Sequence, residues 1–282
     1  MRLFDGFNKV LYRYCFFIWL LMLSACTSAP SVYKVAGAVD NNSAQGFAVH
    51  GDMAFLANNG GMCRLYDLKR KVEVSRFLLD SHGKNNHSNC LDFGVGHLGE
   101  KNEYPALYIS ECTSPGRCFV EKVTRGKSTL VQTISFKKRV TSWFVDRDKR
   151  KLYAMMHVMN GWKMTDSISI CKFDLPELSH EIVNLDETNI EDSFHLKVPY
   201  TLQGGTIHKN RLFLPVGTHG AHKDGIKKSR KLIVIDLSKR LIDKTINLEE
   251  VTDNEPEDVF FYKGMLWLFC GQSGGLYPIE IN

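Results

Sequence analysis

The chain has 282 residues, 44% of them hydrophobic and 11% aromatic, and its 36 basic and 31 acidic side chains leave a formal net charge of +5. This hydrophobic content excludes an intrinsically disordered chain. The charge is too small for the strongly basic face of a nucleic-acid-binding protein, so we expect no nucleic-acid partner. The length suffices for one large all-β domain around a shared core.

The first 25 residues are typical of an export signal. Basic residues precede an apolar run at positions 15–22. A segment that spans a bilayer needs about 20 apolar residues, and this run is shorter. We therefore interpret residues 1–25 as a cleavable signal peptide.

Residues 23–26 read Leu-Ser-Ala-Cys, which resembles the lipobox of bacterial lipoproteins. The resemblance implies that Cys26 carries acyl chains such as palmitate and anchors the protein in a membrane. Residues 26–30 would then be a lipidated tether, and residues 31–282 the folded domain. In that family an Asp after the Cys retains the protein in the inner membrane. Thr27 stands here, which favours the outer membrane, with exposure to the periplasm or the cell surface open. The alternative is an ordinary signal peptide that happens to precede a Cys.

Six cysteines remain in the exported part of the chain, and one pair is close in sequence. Cys112 and Cys118 enclose a Pro-Gly turn between two strand-like runs, which predicts a disulfide worth about 2 kcal/mol. Two free buried thiols are the alternative. The sequence leaves the connectivity of Cys63, Cys90, Cys171 and Cys270 open. Because no CxxC spacing occurs, we expect no metal site and no cofactor.

Short apolar strands recur along the chain in units of about 50 residues, the period of propeller blades. Each unit opens with a polar residue and continues through an inner strand, a second strand and an alternating partner. Four units add an edge strand; these four are predicted at 72–77, 129–134, 181–185 and 241–248. The sequence therefore predicts an all-β, five-bladed β-propeller.

The fifth unit has three strands, and we expect an N-terminal strand at residues 31–36 to complete it. Such closure removes the open sheet edges that invite aggregation. Three polar insertions, at 79–103, 186–196 and 218–230, are predicted to be surface loops.

The first residues of the inner strands should converge at one mouth of the central channel, which is the default ligand site of the fold. We therefore predict that these residues form a polar ligand-binding ring. Its members are Gln45, His87, Asn89, Ser142, Gln203 and Glu257. Amides outnumber carboxylates in this ring, and amides do not titrate. We therefore expect binding rather than catalysis, with no catalytic residue assigned. The alternative is that these side chains only satisfy backbone groups at the blade tips.

Two segments resemble plant-type glutaminyl cyclases, which are five-bladed propellers. One is Gln-Gly-Phe at 45–47, followed by Gly-Asp at 51–52; the other is Asn-Glu-x-Glu at 254–257. The resemblance nominates Gln45, Glu257 and Trp267 for action on an N-terminal glutamine. The chain departs from that family at 87–94, where a Gly-Glu-Gly motif would be expected.

A second enzyme hypothesis rests on similarity to five-bladed glycosidases, which need two carboxyl groups about 5–9.5 Å apart. Asp92, Glu255 and Glu257 are the candidates. The amides and serine at the other openers count against hydrolysis.

Two histidines, at 219 and 222, lie in a lysine-rich loop and are interpreted as a solvated basic segment. Together these patterns predict a lipid-anchored envelope protein that binds a peptide, a glycan or a small polar ligand. The alternative is an enzyme that uses Glu257.

Overall fold

The computed structural model describes residues 44–83, 86–97, 104–179, 182–218, 229–271 and 275–281. These residues form twenty strands, and their one helical element is a single 3-10 turn at Glu187–Asn189. The strands belong to five separate sheets that follow one another along the chain. The five-bladed β-propeller predicted from the sequence is confirmed.

Consecutive strands of each blade pair antiparallel, and the first strand of each blade is the inner one, next to the central channel. Blade 1 comprises β1 (Ala44–His50), β2 (Met53–Asn58), β3 (Met62–Asp67) and β4 (Val72–Leu78). Blade 2 comprises β5 (Cys90–Phe93), β6 (Leu107–Ser110), β7 (Gly116–Val123) and β8 (Ser128–Phe136). Blade 3 begins with β9 (Ser142–Asp146), β10 (Lys151–Asn160) and β11 (Lys163–Asp174).

Two strands follow β11, namely β12 (Ile182–Leu185) and β13 (Asp192–Lys197). Blade 4 comprises β14 (Thr206–His208), β15 (Arg211–Val216), β16 (Lys231–Asp236) and β17 (Leu241–Asn247). Blade 5 comprises β18 (Pro256–Tyr262), β19 (Met265–Cys270) and β20 (Gly275–Ile279).

The edge strand predicted at 181–185 belongs to a different blade from the one expected. β12 pairs in parallel with β8, so it is a fifth strand of blade 2. The outer strand of blade 3 is instead β13, which pairs with β11 from Ser167 to Lys172. The prediction of a surface loop at 186–196 is therefore wrong. Half-buried and exposed side chains alternate along 192–197, with the two-residue period of an edge strand.

The other two insertions fare differently. The segment 79–103 contains the inner strand β5, all four residues of which are buried, so it is not a loop throughout. Most of the loop predicted at 218–230 lies outside the described residues.

Apolar side chains fill the interfaces between neighbouring blades. Four buried clusters alternate with the sheets around the ring, and the first joins blades 5, 1 and 2 through side chains such as Phe269, Phe47 and Phe93. A fully buried side chain of this size stabilises the fold by about 2–3 kcal/mol. The inner strands are the most deeply buried part of the protein, which fixes their first residues around the channel.

Blades 1 and 5 also meet through polar contacts at the opposite end of the channel from the predicted mouth. The Tyr262 hydroxyl donates to Asp52 Oδ1 at 2.7 Å, and Lys263 Nζ lies 2.8 Å from the same oxygen. These contacts join blades 1 and 5. The strand predicted at 31–36 lies outside the described residues.

Candidate functional site

Hydrogen bonds link three of the predicted mouth residues. Asn89 donates through Nδ2 to Ser142 Oγ at 2.7 Å and to the carbonyl of Thr141 at 3.1 Å. Ser142 Oγ in turn donates to the carbonyl of Gln203 at 3.0 Å. The openers of blades 2, 3 and 4 therefore lie side by side, as the sequence predicts. All three side chains are buried. Their hydrogen bonds to one another join blades 2, 3 and 4.

Glu255 joins this arrangement from the segment that enters blade 5. Its Oε1 accepts a hydrogen bond from Gln203 Nε2 at 2.9 Å and another from Thr218 Oγ1 at 2.7 Å. Glu255 itself is only half-buried. It is therefore more accessible than Glu257 and Asp258, which are buried.

His87 lies just before the inner strand of blade 2 and is half-buried. Its Nδ1 lies 3.2 Å from Asn59 Oδ1 of blade 1. Burial lowers the pKa of His87, and the positive charge of Arg139 lowers it further, while Glu255 opposes both effects. His87 is therefore neutral at physiological pH and can donate or accept a hydrogen bond.

Glu257 is much less accessible than its place in the sequence suggests, with 3% of its surface exposed. Its backbone carbonyl accepts a hydrogen bond from the Gly204 N–H at 2.7 Å. Its carboxylate lies so close to Gly271 that a Cβ there would collide with it. Burial raises the pKa of Glu257 well above its usual range, and the negative charges of Glu255 and Asp258 raise it further.

The two other residues that the resemblance to glutaminyl cyclases nominates, Gln45 and Trp267, are both buried. Gln45 is 5% exposed, and its Oε1 has no hydrogen-bond partner among the described residues. Trp267 is 6% exposed and belongs to the apolar cluster between blades 5 and 1. Neither side chain is placed to act on a ligand in the way that the resemblance to glutaminyl cyclases implies.

Asp258 is a central residue that the sequence analysis did not single out. Its Oδ2 accepts hydrogen bonds from the N–H groups of Phe47 in blade 1, at 2.8 Å, and Leu91 in blade 2, at 3.2 Å. A Cβ on Gly204 would collide with the same carboxylate, which explains the glycine at that position of blade 4. Burial raises the pKa of Asp258 well above its usual range despite these donors. Asp258 thus holds the inner ends of several blades together.

Asp92 has a related role between blades 2 and 3. Its Oδ2 accepts a hydrogen bond from the Val145 N–H at 2.9 Å, and its side chain is 1% exposed. Burial raises the pKa of Asp92 to about 7, although the positive charge of Arg147 opposes the shift. Asp92 is therefore a buried carboxyl that joins blades 2 and 3.

The predicted disulfide between Cys112 and Cys118 is wrong, since both residues are free cysteines in the structure. Cys118 pairs with Ser110 across the hairpin and packs in the buried cluster between blades 2 and 3. Cys112 lies beyond the end of the hairpin's pairing and interacts with Arg139. The two cysteines are close in sequence, but their side chains have different neighbours: Cys118 packs in the apolar cluster, and Cys112 contacts Arg139.

Within the described ranges, no group of three or more His, Cys, Asp or Glu side chains is arranged to hold a metal ion. In the same ranges, no helix is long and apolar enough to cross a membrane.

No protein-family model and no curated protein matches this chain. Several solved structures resemble it. Hydrazine synthase of Kuenenia stuttgartiensis has a TM-score of 0.41 and 10% identity over 80% of this chain. Apo AztD from Citrobacter koseri has a TM-score of 0.36 and 14% identity over 73% of it. The computationally designed Ika8 protein has a TM-score of 0.34 and 8% identity over 84% of it.

The matches span 61% of the hydrazine synthase chain, 47% of AztD and 71% of the designed protein. Similarities of this size assign no activity to the chain.

Proposed function

We propose that this protein is a lipid-anchored, cell-envelope propeller that binds a peptide, a glycan or a small polar ligand at the mouth of its channel without turning it over. The support for binding is the assembly of His87, Gln203, Thr218 and Glu255 from three blades around one opening. These groups offer donors and acceptors in fixed positions, which orient a polar ligand through hydrogen bonds. The lipobox at residues 23–26 supports the anchor at Cys26 and the outer membrane as its location.

Glu255 carries the proposal because it is the half-buried carboxylate that is already oriented by two donors. A carboxylate held by Gln203 and Thr218 needs no reorganisation to accept a hydrogen bond from an incoming amine or hydroxyl. Hydrogen bonds to charged groups are about twice as strong as those between neutral groups. Glu255 is therefore the main anchor of the proposed ligand.

A second candidate function is an enzyme that uses Glu257. The specific observation in its favour is the raised pKa of that carboxyl beside a second carboxylate, an arrangement that general acids use. The low exposure of Glu257 opposes it, since a general acid must contact the substrate directly or through one water.

Isothermal titration calorimetry tests the binding site directly. The probes are glutaminyl dipeptides, arabino-oligosaccharides and fructo-oligosaccharides. We expect one class to bind, and we expect Glu255→Gln to weaken its affinity by roughly tenfold, the effect of one lost charged hydrogen bond. Glu250→Gln, which removes an exposed carboxylate outside the mouth, is the matched control. Equal affinities of Glu255→Gln and Glu250→Gln would refute Glu255 as the anchor.

A further inference from the structure

The hairpin of β10 and β11 extends beyond the inner strand of blade 3, on the side of the ring where the inner strands begin. Met155 pairs with Ser142, the first residue of β9, so residues 156–160 continue past the inner strand of the blade. At about 3.3 Å per residue, this extension projects by about 17 Å. Gly161 and Trp162 form the turn between the strands, and Trp162 is 100% exposed.

A cavity of about 430 Å³ lies at the base of this hairpin. The loop after β8 lines it with Lys137, Lys138 and Arg139, and His157 and His195 line it from blade 3. None of its described lining residues is acidic. Two acids outside this lining, Asp186 and Glu187, interact with Lys137 and Lys138. The three cations outnumber them, so the cavity favours an anion.

His157 supplies a polar group inside this cavity. Its Nδ1 is buried and has no hydrogen-bond partner among the described residues. Burial lowers the pKa of His157 to about 4, and the charge of Arg139 contributes to the shift. The ring is neutral at physiological pH, so it is available as a hydrogen-bonding group.

Apolar side chains line the same cavity and continue to the tip of the hairpin. Met156 is buried at the base, while Met159 and Met164 are 49% and 42% exposed. Beyond them stands Trp162. The cavity and hairpin thus combine a cluster of cations with a contiguous apolar surface, and tryptophan is enriched where proteins meet the headgroup region of membranes.

We propose that this cavity and hairpin tip bind a phosphate carried by a lipid, with the phosphate among the cations and the glycerol and acyl part against the methionines and Trp162. Several donors on Lys137, Lys138 and Arg139 suit the several oxygens of a phosphate. An acidic peptide would use the cations but not the projecting tip. This proposal is independent of the ligand proposed for the mouth.

Calorimetry on the full-length protein tests the proposal. The probe is dihexanoylphosphatidylglycerol below its critical micelle concentration, so that no micelle is present into which the acyl anchor of the protein could insert. The comparison probes are inorganic phosphate, dihexanoylphosphatidylcholine and hexaglutamate. We expect the phosphatidylglycerol to bind roughly tenfold more tightly than each of them, about 1.4 kcal/mol.

Two variants assign the binding to the cavity. We expect Lys137→Gln/Lys138→Gln to weaken phosphatidylglycerol binding by roughly tenfold. The variant also breaks an exposed ion pair of Lys138 with Glu187, which contributes little to stability. Lys122→Gln/Lys127→Gln removes two cations at the opposite end of blade 2 and is the matched control. Trp162→Ala should weaken lipid binding by a few fold and leave phosphate binding unchanged.

The imidazole signals of His157 give an independent readout by NMR. A bound phosphate should raise the pKa of this ring, because an anion favours its charged form. Equal affinity for inorganic phosphate and for the lipid would assign a free anion instead and overturn the proposal. Tighter binding of hexaglutamate would overturn it in favour of a peptide, and an unchanged Lys137→Gln/Lys138→Gln variant would exclude this cavity.

Discussion

Replacing Asp92 by asparagine should make the protein more stable at neutral pH than the wild type, although it removes a buried carboxylate that bonds across two blades. The carbonyl oxygen of the asparagine can still accept the hydrogen bond from the Val145 N–H. Its amide takes the place of Oδ1, which has no partner among the described residues. At acid pH we therefore expect the substitution to cost about 1–2 kcal/mol for an unpaired donor.

The pH dependence follows from the raised pKa of Asp92. The ordinary value is 3.8 and the folded value is about 7. Below pH 3.8 the carboxyl is protonated in both states and costs nothing. Between pH 3.8 and 7 it ionises in the unfolded chain but not in the folded one, so folding loses stability as the pH rises. The full loss is on the order of 4 kcal/mol above pH 7, and asparagine escapes it.

Urea unfolding at one-unit steps from pH 4 to pH 8, followed by tryptophan fluorescence, measures this difference. The free energy of unfolding of Asp92→Asn relative to wild type should rise by about 3–4 kcal/mol across the series and change sign within it. Asp148→Asn, which removes an exposed carboxylate just after the inner strand of the neighbouring blade 3, is the control and should show no such trend. A flat difference for Asp92→Asn, within about 1 kcal/mol, would refute the assignment of Asp92 as a buried group that resists ionisation.

Three further predictions concern the ring and the anchor. Asp258→Ala should destabilise the protein by at least about 3 kcal/mol in urea unfolding, because the N–H groups of Phe47 and Leu91 lose their acceptor; a smaller loss than for Asp258→Asn would contradict the role assigned to it. Deleting residues 31–38 should lower the melting temperature by more than about 5 °C if a strand from this segment completes blade 5, and a change of only a degree or two would exclude that strand. Cys26→Ala should release the protein from the membrane fraction or block its maturation, whereas an unchanged mature mass and unchanged detergent partitioning would refute lipidation.

The blade pattern was predictable because each strand has a local signature. Second strands such as β19 are short apolar runs, and edge strands such as β17 alternate between half-buried and exposed residues. The partner of a strand is less predictable. β12 has the sequence of an edge strand, but periodicity does not say which sheet an edge strand joins. β12 pairs in parallel with β8, and three strands of blade 3 lie between them in sequence.

The convergence of the strand openers was predictable from the sequence, but the burial of their individual side chains was less so. The openers Asn89, Ser142 and Gln203 meet because propeller geometry brings inner strands together. Burial is a property of the folded ring, so the sequence did not distinguish the accessible Glu255 from the buried Glu257. Asp258 follows two acids in an apparently polar turn, and only the position of the neighbouring blades shows that it bonds across the channel. The available signal was a charged residue inside β18, immediately before its apolar run at 259–261.

Binding and turnover measured on the same samples test the central claim most directly. Purified protein is incubated with glutaminyl peptides and with arabino- and fructo-oligosaccharides, and the mixtures are assayed for bound ligand by calorimetry and for product by mass spectrometry. We predict binding without product, weakened by Glu255→Gln because that variant removes the proposed anchor of the ligand. Robust conversion of either class of probe, abolished by Glu257→Gln, would contradict the binding account and establish an enzyme.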